Sequence, residues 1–403
     1  MEEIEREVIK PATPSTNDRL QLSLLDLMNS PANVPVIFFY ETDDEDVAPE
    51  IISAKLKSSL FQTLSRFYPL AGRREGITIS CNDEGAVFTE ARTDLLLCDF
   101  LKDVNASSLE RFYPTMAPGD SPTEWPLLRV KVTLFGSRSG VAVSVSASHS
   151  ICDATSLLTF ITDWATTTVK GRMSSNNNNN NNNTIHFAET TIYPPPDISF
   201  LRSLPTAGPP GKCVMNRFVF ESYKIEELKR KVEGAGVPAP TRVEAIMSLV
   251  WTCTRNAWHS NLVSPRSTLM LQPMDLRSRV PSTDVFSIGN LQTMFLLKRG
   301  VESSSSFDLE IYETIAEFCK AKESVNEMIK ENLQGNTLGQ SLMRVIGDFA
   351  SSLTPETDLY SMTSWCRKPF YKVDFGWGTP AWVGSTSTYN NVAYVCLIDS
   401  KHG

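Results

Sequence analysis

The sequence has 403 residues, a length that predicts two domains or one large one. Hydrophobic residues make up 41% and charged residues 21%, as is ordinary for a globular protein with a sizeable core. The net charge of −8 argues against nucleic acid as a partner, because a phosphate backbone is held by clustered Lys and Arg, but it leaves room for a small anionic ligand in a local basic patch.

The chain begins with an acidic segment, MEEIEREVIKPATPS, which resembles neither a secretory signal nor an Arg-rich transit peptide. No apolar stretch reaches the roughly 18–20 residues that a membrane helix needs, so we expect a cytoplasmic protein without a membrane partner. The first half then predicts, in order, a strand-like run within residues 20–40, a helix over 51–67, a hairpin over 77–88, two strands over 127–148 and a helix over 154–169.

The middle of the sequence predicts a domain boundary. Residues 176–183 are an unbroken asparagine run that cannot build a packed core, so we expect a flexible loop or an artificial insert. Residues 190–212 are rich in proline and predict an extended crossover linker. The expected organisation is therefore an N-terminal domain over 1–189, the linker over 190–212 and a C-terminal domain over 213–403.

The second half repeats the alternation of strands and helices. Thr241 and Glu244 form a capping-box pattern that opens a helix. The other predicted elements are a strand over 213–221, strands over 268–274 and 291–298, a long amphipathic helix over 307–332 and a final strand over 391–398. Strands and helices mixed in this way predict an α/β or α+β pair of domains.

His149 and Asp153 form an H-x-x-x-D pattern where the second strand of residues 127–148 should end. Histidine suits general-base chemistry because its ordinary pKa lies near neutrality. The aspartate could hold the imidazole, or bond elsewhere and fix the backbone, and the pair could also belong to a metal site. No second cluster of ligand residues accompanies it, and the eight cysteines include no C-x-x-C pair, so we predict no metal.

A second motif, D-F-G-W-G, spans residues 374–378. Two glycines beside two aromatic residues predict a tight turn wedged into a packed interface. Its first three residues match the DFG of protein kinases, but no H-R-D loop, V-A-I-K strand or Gly-rich phosphate loop precedes it. A serine hydrolase is equally unsupported, because the sequence has no G-x-S-x-G elbow.

An H-x-x-x-D in mid-chain and a later D-F-G-W-G are the paired signature of a known family. Further matches follow in the family's order over nearly the whole chain: L-S-x-x-D over 22–26, Y-P-L-A-G-R over 68–73, D-L-R-S-R over 275–279 with Gly289-Asn290 after it, and S-M-T-S-W over 361–365. The sequence is identified as a member of the BAHD family of plant coenzyme A-dependent acyltransferases, and it most resembles the alkaloid and terpenoid O-acetyltransferases.

The resemblance implies an α/β fold of two similar chloramphenicol acetyltransferase-like domains. Each is a mixed β-sheet with flanking helices, and a channel between the domains admits acyl-CoA from one face and the acceptor from the other. His149 would lie in mid-channel and take the proton from an acceptor hydroxyl or amine as that group attacks the thioester. Transfer would be direct, in a ternary complex, with acetyl as the favoured acyl group and a plant specialised metabolite as acceptor.

The resemblance also implies roles for residues around the base. Asp153 would turn away from His149 and pair with an arginine. Asp374 would pair with Arg277 or Arg279, between which the spacing cannot choose, and leaving either partner of such a buried pair alone costs about 3–5 kcal/mol. The residues expected to support the site structurally are Asp153, Arg277, Arg279, Asp374, Gly376, Trp377 and Gly378.

Two substrate regions follow from the same resemblance. Thr363, Ser364 and Trp365 should lie near the reacting centre, where a hydroxyl or the indole N–H could stabilise the oxyanion. Alternatively, Trp365 only packs the acyl pocket. Thr241 and Arg242 open a helix whose free N–H groups suit the CoA diphosphate, although a plain capping box with a surface arginine explains them as well.

A non-catalytic relative that binds a ligand or a protein partner is the competing hypothesis for the whole molecule. The expected partners of an active enzyme are acyl-CoA as co-substrate and a small-molecule alcohol or amine, with no permanently bound cofactor. We expect a monomer. Family members continue with a further short acidic, tryptophan-bearing strand, so the C-terminal end is expected to be truncated.

Overall fold

The computed structural model describes residues 1–29, 32–42, 49–115, 125–171, 185–187, 214–237, 239–260, 266–281, 287–300, 306–334, 337–386 and 393–401. Its strands are β1 Glu2–Ile9, β2 Arg19–Gln21, β3 Asn33–Glu41, β4 Arg73–Glu75, β5 Thr78–Ser80, β6 Ala86–Arg92, β7 Leu128–Leu134, β8 Gly140–Ser148, β9 His186–Phe187, β10 Ser267–Asp275, β11 Ser287–Ile288, β12 Gln292–Arg299, β13 Thr357–Ser364, β14 Trp382–Gly384 and β15 Ala393–Leu397. Its α-helices are α1 Leu24–Leu27, α2 Pro49–Arg66, α3 Leu97–Lys102, α4 Ala106–Glu110, α5 Ala154–Lys170, α6 Ser222–Gly234, α7 Arg242–His259, α8 Phe307–Gln334 and α9 Leu338–Ser352.

The larger sheet has six strands in the order β1–β6–β7–β8–β3–β14. It is mixed, because β6 and β7 run parallel whereas the other neighbours run antiparallel. Both faces are covered: Val36, Phe38 and Tyr40 of β3 pack with helices α2 and α5, and the alternate residues Ile37 and Phe39 pack with α3 and α4. The predicted helices over 51–67 and 154–169 and the strand pair over 127–148 are confirmed.

The smaller main sheet has four strands in the order β12–β10–β13–β15. β12 runs antiparallel to β10, and β10, β13 and β15 are parallel. Met247 and Trp251 of α7, with Phe318 and Ile329 of α8, form its core. The predicted strands over 268–274 and 291–298, the helix over 307–332 and the helix opened by the capping box are confirmed, and the final strand is present over Ala393–Leu397.

The hairpin predicted over residues 77–88 is wrong. β5 pairs with β2 and β4 in a separate three-stranded sheet, whereas β6 pairs with β1 and β7. Gly85, just before β6, has φ 95°, and its N–H donates to the carbonyl of Ala71 at 2.8 Å. A side chain there would lie 2.6 Å from the Ile9 carbonyl oxygen. The glycine therefore lets the chain cross closely beside β1 instead of folding back on β5.

The strand predicted over residues 213–221 is also wrong where the structure describes it. Residues 214–220 have no regular structure, and Val214 and Phe218 are 75% and 78% exposed. The alternation of apolar residues is present, but a strand also needs a neighbour for its backbone groups. Helices α6 and α9, which the sequence analysis did not name, are present.

One segment of the second half crosses back to the first. β14 pairs antiparallel with β3, and Phe370, Val373 and Phe375 belong to the core beneath the six-stranded sheet. The sheets are therefore not built from contiguous halves of the chain. The crossover linker predicted over residues 190–212 and the asparagine run over 176–183 lie outside the described residues, and the three-part domain division stays a prediction.

Candidate active site

His149 follows the last residue of β8, where the sheet ends and the chain turns into α5. Its backbone N–H donates to the carbonyl of Ala32 at 2.8 Å, so the histidine is tied to the start of β3. The side chain is half-buried. β8 lies between β7 and β3 in the six-stranded sheet, and this interior position makes the backbone that presents the imidazole rigid.

Asn290 holds both the ring and the backbone of His149. Its Nδ2 donates to the His149 carbonyl at 2.6 Å and to Asp26 Oδ1 at 3.0 Å, and its Oδ1 lies 2.8 Å from His149 Nδ1. Because the amide nitrogen is committed to two acceptors, the oxygen is the atom that faces the ring. Nδ1 must then carry the proton and donate to Asn290, which leaves Nε2 with a free lone pair.

Asp26 fixes the orientation of Asn290 from behind. Its Oδ1 accepts from the Asn290 backbone N–H at 2.8 Å as well as from Nδ2, and its Oδ2 accepts from Ser23 Oγ at 2.7 Å and Ser23 N at 3.1 Å. Burial raises the pKa of Asp26, and these hydrogen bonds oppose that rise. The sequence analysis quoted both residues inside family motifs and gave neither a role. The only available signal was their place inside the motifs L-S-x-x-D and Gly289-Asn290.

Burial lowers the pKa of His149 below its ordinary value, against the Asn290 hydrogen bond and the negative charges of Asp153 and Asp26. The neutral imidazole is therefore favoured at neutral pH. A neutral ring with a free Nε2 lone pair can accept a proton, which is the requirement for a general base.

Asp153 engages an arginine, as the family resemblance implies. Its two oxygens accept from the Arg277 guanidinium at 2.7 and 3.2 Å, and both side chains are buried. Asp153 also caps α5 by accepting from the Ser156 N–H at 2.8 Å and accepts from the Leu291 N–H at 3.1 Å. These four donors occupy the carboxylate and hold the histidine loop against the segment between β11 and β12 that carries Asn290.

The predicted pairing of Asp374 with Arg277 or Arg279 is not found. Arg277 donates to Asp153, and Arg279 donates to Asn326 Oδ1 at 2.8 Å and to the Asp275 carbonyl at 2.7 Å. Asp374 is exposed, and its Oδ1 accepts from the N–H groups of residues 376 and 378 at 2.6 and 2.9 Å. The physical reason is proximity: a carboxylate two residues before a backbone N–H closes its own turn.

The rest of the D-F-G-W-G motif supports the fold from this turn. Gly376 and Gly378 have φ of 104° and 81°, a backbone region that favours glycine. Phe375 is buried against Trp164, with ring centroids 4.8 Å apart, and Trp377 lies 5.5 Å from Tyr40. The motif therefore attaches the second half of the chain to the core under the six-stranded sheet.

The predicted oxyanion segment has two environments. Trp365 is buried in that same core and stacks on Phe370 at 5.3 Å. Thr363 and Ser364 are half-buried at the end of β13. Ser364 lines a cavity and accepts from the Cys366 N–H at 3.2 Å, which leaves its hydroxyl hydrogen to donate. Packing thus accounts for the buried position of Trp365.

The cavity that Ser364 lines has a volume of about 290 Å³. It also includes Thr241 and Arg242, where the capping box closes through Thr241 Oγ1 accepting from the Glu244 N–H at 3.3 Å. Its walls carry more basic than acidic side chains: Arg242, Arg279, Lys322 and Arg367 against Glu244 and Asp275. The basic excess and the helix start suit an anionic ligand.

In the described part of the chain, no group of three or more His, Cys, Asp or Glu side chains could hold a metal ion. Within the same residues, no helix combines the length and apolarity needed to cross a bilayer.

The chain is similar to known proteins over nearly its whole length. The Transferase family model matches residues 1–403. BAHD acyltransferase BIA1 from Arabidopsis thaliana is 57% identical over 408 residues, covering 99% of this chain and 90% of the relative. Stemmadenine O-acetyltransferase from Catharanthus roseus is 30% identical over 415 residues, covering 100% and 91%. The crystal structure of vinorine synthase matches with a TM-score of 0.78 and 27% identity, covering 98% of this chain and 91% of that one.

These similarities confirm the mixed α/β fold and the family identified from the motifs. Because the family match spans the whole length and a relative with 57% identity is a named acyltransferase, the chain belongs to the Transferase family of BAHD acyltransferases.

Proposed function

We propose that this acyltransferase moves an acetyl group from acetyl-CoA to a hydroxyl of a plant specialised metabolite, with His149 as general base. The observation that carries the proposal is the orientation of the Asn290 amide. Its nitrogen donates to two acceptors and its oxygen faces Nδ1 of His149, so that Nε2 of a neutral imidazole is free to accept a proton. The acetyl group and the alcohol class are supported by similarity to stemmadenine O-acetyltransferase at 30% identity.

In the proposed step, Nε2 of His149 takes the proton as the acceptor oxygen attacks the thioester carbonyl. The carbon–oxygen bond forms, the tetrahedral intermediate collapses, and the carbon–sulfur bond breaks. The thiolate leaves and recovers a proton from the imidazolium, so that the base is regenerated without an acyl-enzyme. Asn290 keeps the ring in one tautomer throughout, and the Asp26 carboxylate behind it favours the transient imidazolium.

We assign the CoA diphosphate to the basic cavity at the start of α7. The cavity includes Thr241 and Arg242, the two residues expected to contact CoA, and it also carries Arg279, Lys322 and Arg367. Arg242 and Lys322 are partly neutralised by Asp399 and Glu244, so a bound phosphate would compete with these carboxylates. Ser364 lines the same cavity and is the proposed oxyanion donor of the segment 363–365.

The test is CoA release from acetyl-CoA, followed with a thiol-reactive dye across a panel of plant alcohols and amines, with products identified by mass spectrometry. With a competent acceptor, His149→Ala should lower kcat by about 10²–10⁴-fold, because general-base catalysis is worth that much. Acetyl-CoA affinity should stay unchanged. His186→Ala, which alters the exposed histidine of β9, is the matched control and should keep full activity.

Two results would contradict the proposal. If His149→Ala keeps the wild-type rate, another group is the base. If no acceptor elicits CoA release although acetyl-CoA still binds, the non-catalytic scaffold becomes the better hypothesis. The cytoplasmic location, the monomeric state and the channel between domains stay predictions.

A further inference from the structure

The Asp26 carboxylate is a buried charge, and its direct hydrogen-bond donors among the described residues are all neutral. Those donors are the N–H and hydroxyl of Ser23 and the N–H and side-chain amide of Asn290. Hydrogen bonds of this number stabilise a carboxylate without cancelling its field. Because Asn290 connects it to His149 Nδ1, that field acts on the imidazole, and the negative charge favours the protonated ring.

A second carboxylate, Asp153, also faces His149, from the start of α5. It differs from Asp26 because the guanidinium of Arg277, after β10, lies 2.7 Å away in direct contact. The charge of Asp153 is therefore paired directly with a cation, although it still favours the protonated ring. Asp26, which reaches the ring through Asn290, forms no ion pair among the described residues.

Arg74, on β4, is a cation placed close to this network, because its guanidinium contacts Ser150, the residue after His149. Burial lowers the pKa of Arg74, and the attraction to the Asp26 charge opposes this. The guanidinium is held by two bonds: Nε donates to the Gly76 carbonyl at 3.0 Å, and Nη1 donates to Ser150 Oγ at 2.5 Å. Ser150 is fully buried and directly follows His149.

We propose that Arg74 is a positioning residue of the active site, which anchors the His149 loop through Ser150 and opposes the field of Asp26. The inference rests on the proposed role of His149 as base. Arg74 has two separable effects in this arrangement. Its hydrogen bond fixes the residue next to the base, and its positive charge disfavours a second positive charge on the imidazole, in addition to the burial that lowers the pKa of His149.

The experiment is an NMR titration of the ¹⁵N-histidine-labelled 403-residue chain, which contains four histidines. The His149 signal is assigned by its loss in His149→Ala. In Arg74→Met, which keeps an apolar stem, the pKa of His149 should shift upward by about half a pH unit, because the Asp26 charge is no longer opposed. In Arg74→Lys the charge is kept, and the titration should stay close to wild type.

Arg73→Met is the matched control, because Arg73 neighbours Arg74 on β4 but pairs with Glu84 at 3.0 Å. It should leave the His149 titration unchanged. Asp26→Asn should move the midpoint in the opposite direction from Arg74→Met, because it removes the charge that Arg74 opposes. If Arg74→Met does not fold, Arg74→Gln removes the same charge while keeping a hydrogen-bond donor, and it should shift the midpoint upward as well. The proposal is overturned if Arg74→Met leaves the midpoint in place, if Arg74→Lys shifts as far as Arg74→Met, or if Asp26→Asn shifts it upward.

This readout does not depend on turnover. If the NMR shifts occur but no acceptor is acylated, the proposed function fails while the electrostatic role of Arg74 stands. If acyl transfer occurs and the midpoint does not respond to Arg74, the role of Arg74 alone fails. If acyl transfer and the NMR shifts are both observed, the midpoint of the low-pH limb of kcat/KM should move to higher pH in Arg74→Met, together with the NMR midpoint.

Discussion

The aspartates of the two signature motifs lie in very different surroundings. Asp153 is buried and binds an arginine 124 positions away in the sequence, so it joins the histidine loop to the end of β10. Asp374 is exposed and accepts from backbone N–H groups only two and four residues ahead. The first aspartate connects distant segments through charge, whereas the second shapes its own turn through hydrogen bonds.

The difference shows that the same residue type in two motifs can serve unrelated physical tasks. A buried ion pair needs its charge, because an unpaired guanidinium in a desolvated site is costly. A turn aspartate needs only a carbonyl-like acceptor, which asparagine supplies equally well. Replacement of each aspartate by asparagine therefore separates the two tasks.

The largest effect is expected for Asp153→Asn. Asparagine still caps α5, so the helix keeps its N-cap, but the buried Arg277 loses its closest counter-charge and keeps only the more exposed Asp275, whose Oδ1 lies 3.4 Å away. The free energy of unfolding should fall by about 3–5 kcal/mol in urea denaturation. Asp399→Asn, which breaks the partly exposed pair with Arg242, is the control and should cost less than about 1 kcal/mol. An Asp153→Asn protein as stable as wild type would show that the ion pair contributes nothing to the free energy of unfolding.

A smaller effect is expected at Asp374. Asp374→Ala removes the acceptor for two backbone N–H groups, and because the turn is exposed, water replaces part of the loss. The cost should be about 1–2 kcal/mol. Asp374→Asn keeps the acceptor and should cost less than half as much as Asp374→Ala. If Asp374→Asn were as damaging as Asp153→Asn, an ion pair absent from this structure would have to form in solution.

The sequence predicted the strand and helix that flank His149, because β8 alternates valine with small residues and α5 has a clear apolar face. It failed at the hairpin over 77–88, where a turn signal was present but Gly85 passes close to β1. It failed again over 213–221, where apolar alternation exists without a pairing strand in the described segment. Local patterns predict an element's type better than they predict its partner.

The same limit applies to the site. The family motifs identified His149 and led to the expectation that Asp153 pairs with an arginine. The pairing assigned to Asp374 was wrong, although D-x-G-x-G is itself a turn signal, with an aspartate placed to bond the N–H two residues on. Asn290 and Asp26 were missed because their roles come from contacts across 141 and 264 positions in the sequence, which no local spacing encodes.

The smallest effect is expected at Lys368, which lies between the two motifs. Its Nζ donates to Thr155 Oγ1 in the first turn of α5 and to Asp275 Oδ2 at 3.3 Å, near the Arg277–Asp153 pair. Because Lys368 is partly exposed, Lys368→Met should cost only about 0.5–1 kcal/mol in urea denaturation. That cost should shrink as salt screens the pair, whereas the cost of Asp153→Asn should hardly change. If both costs fell equally with salt, the Asp153 pair would be solvated rather than buried, and the contrast between the two motif aspartates would be lost.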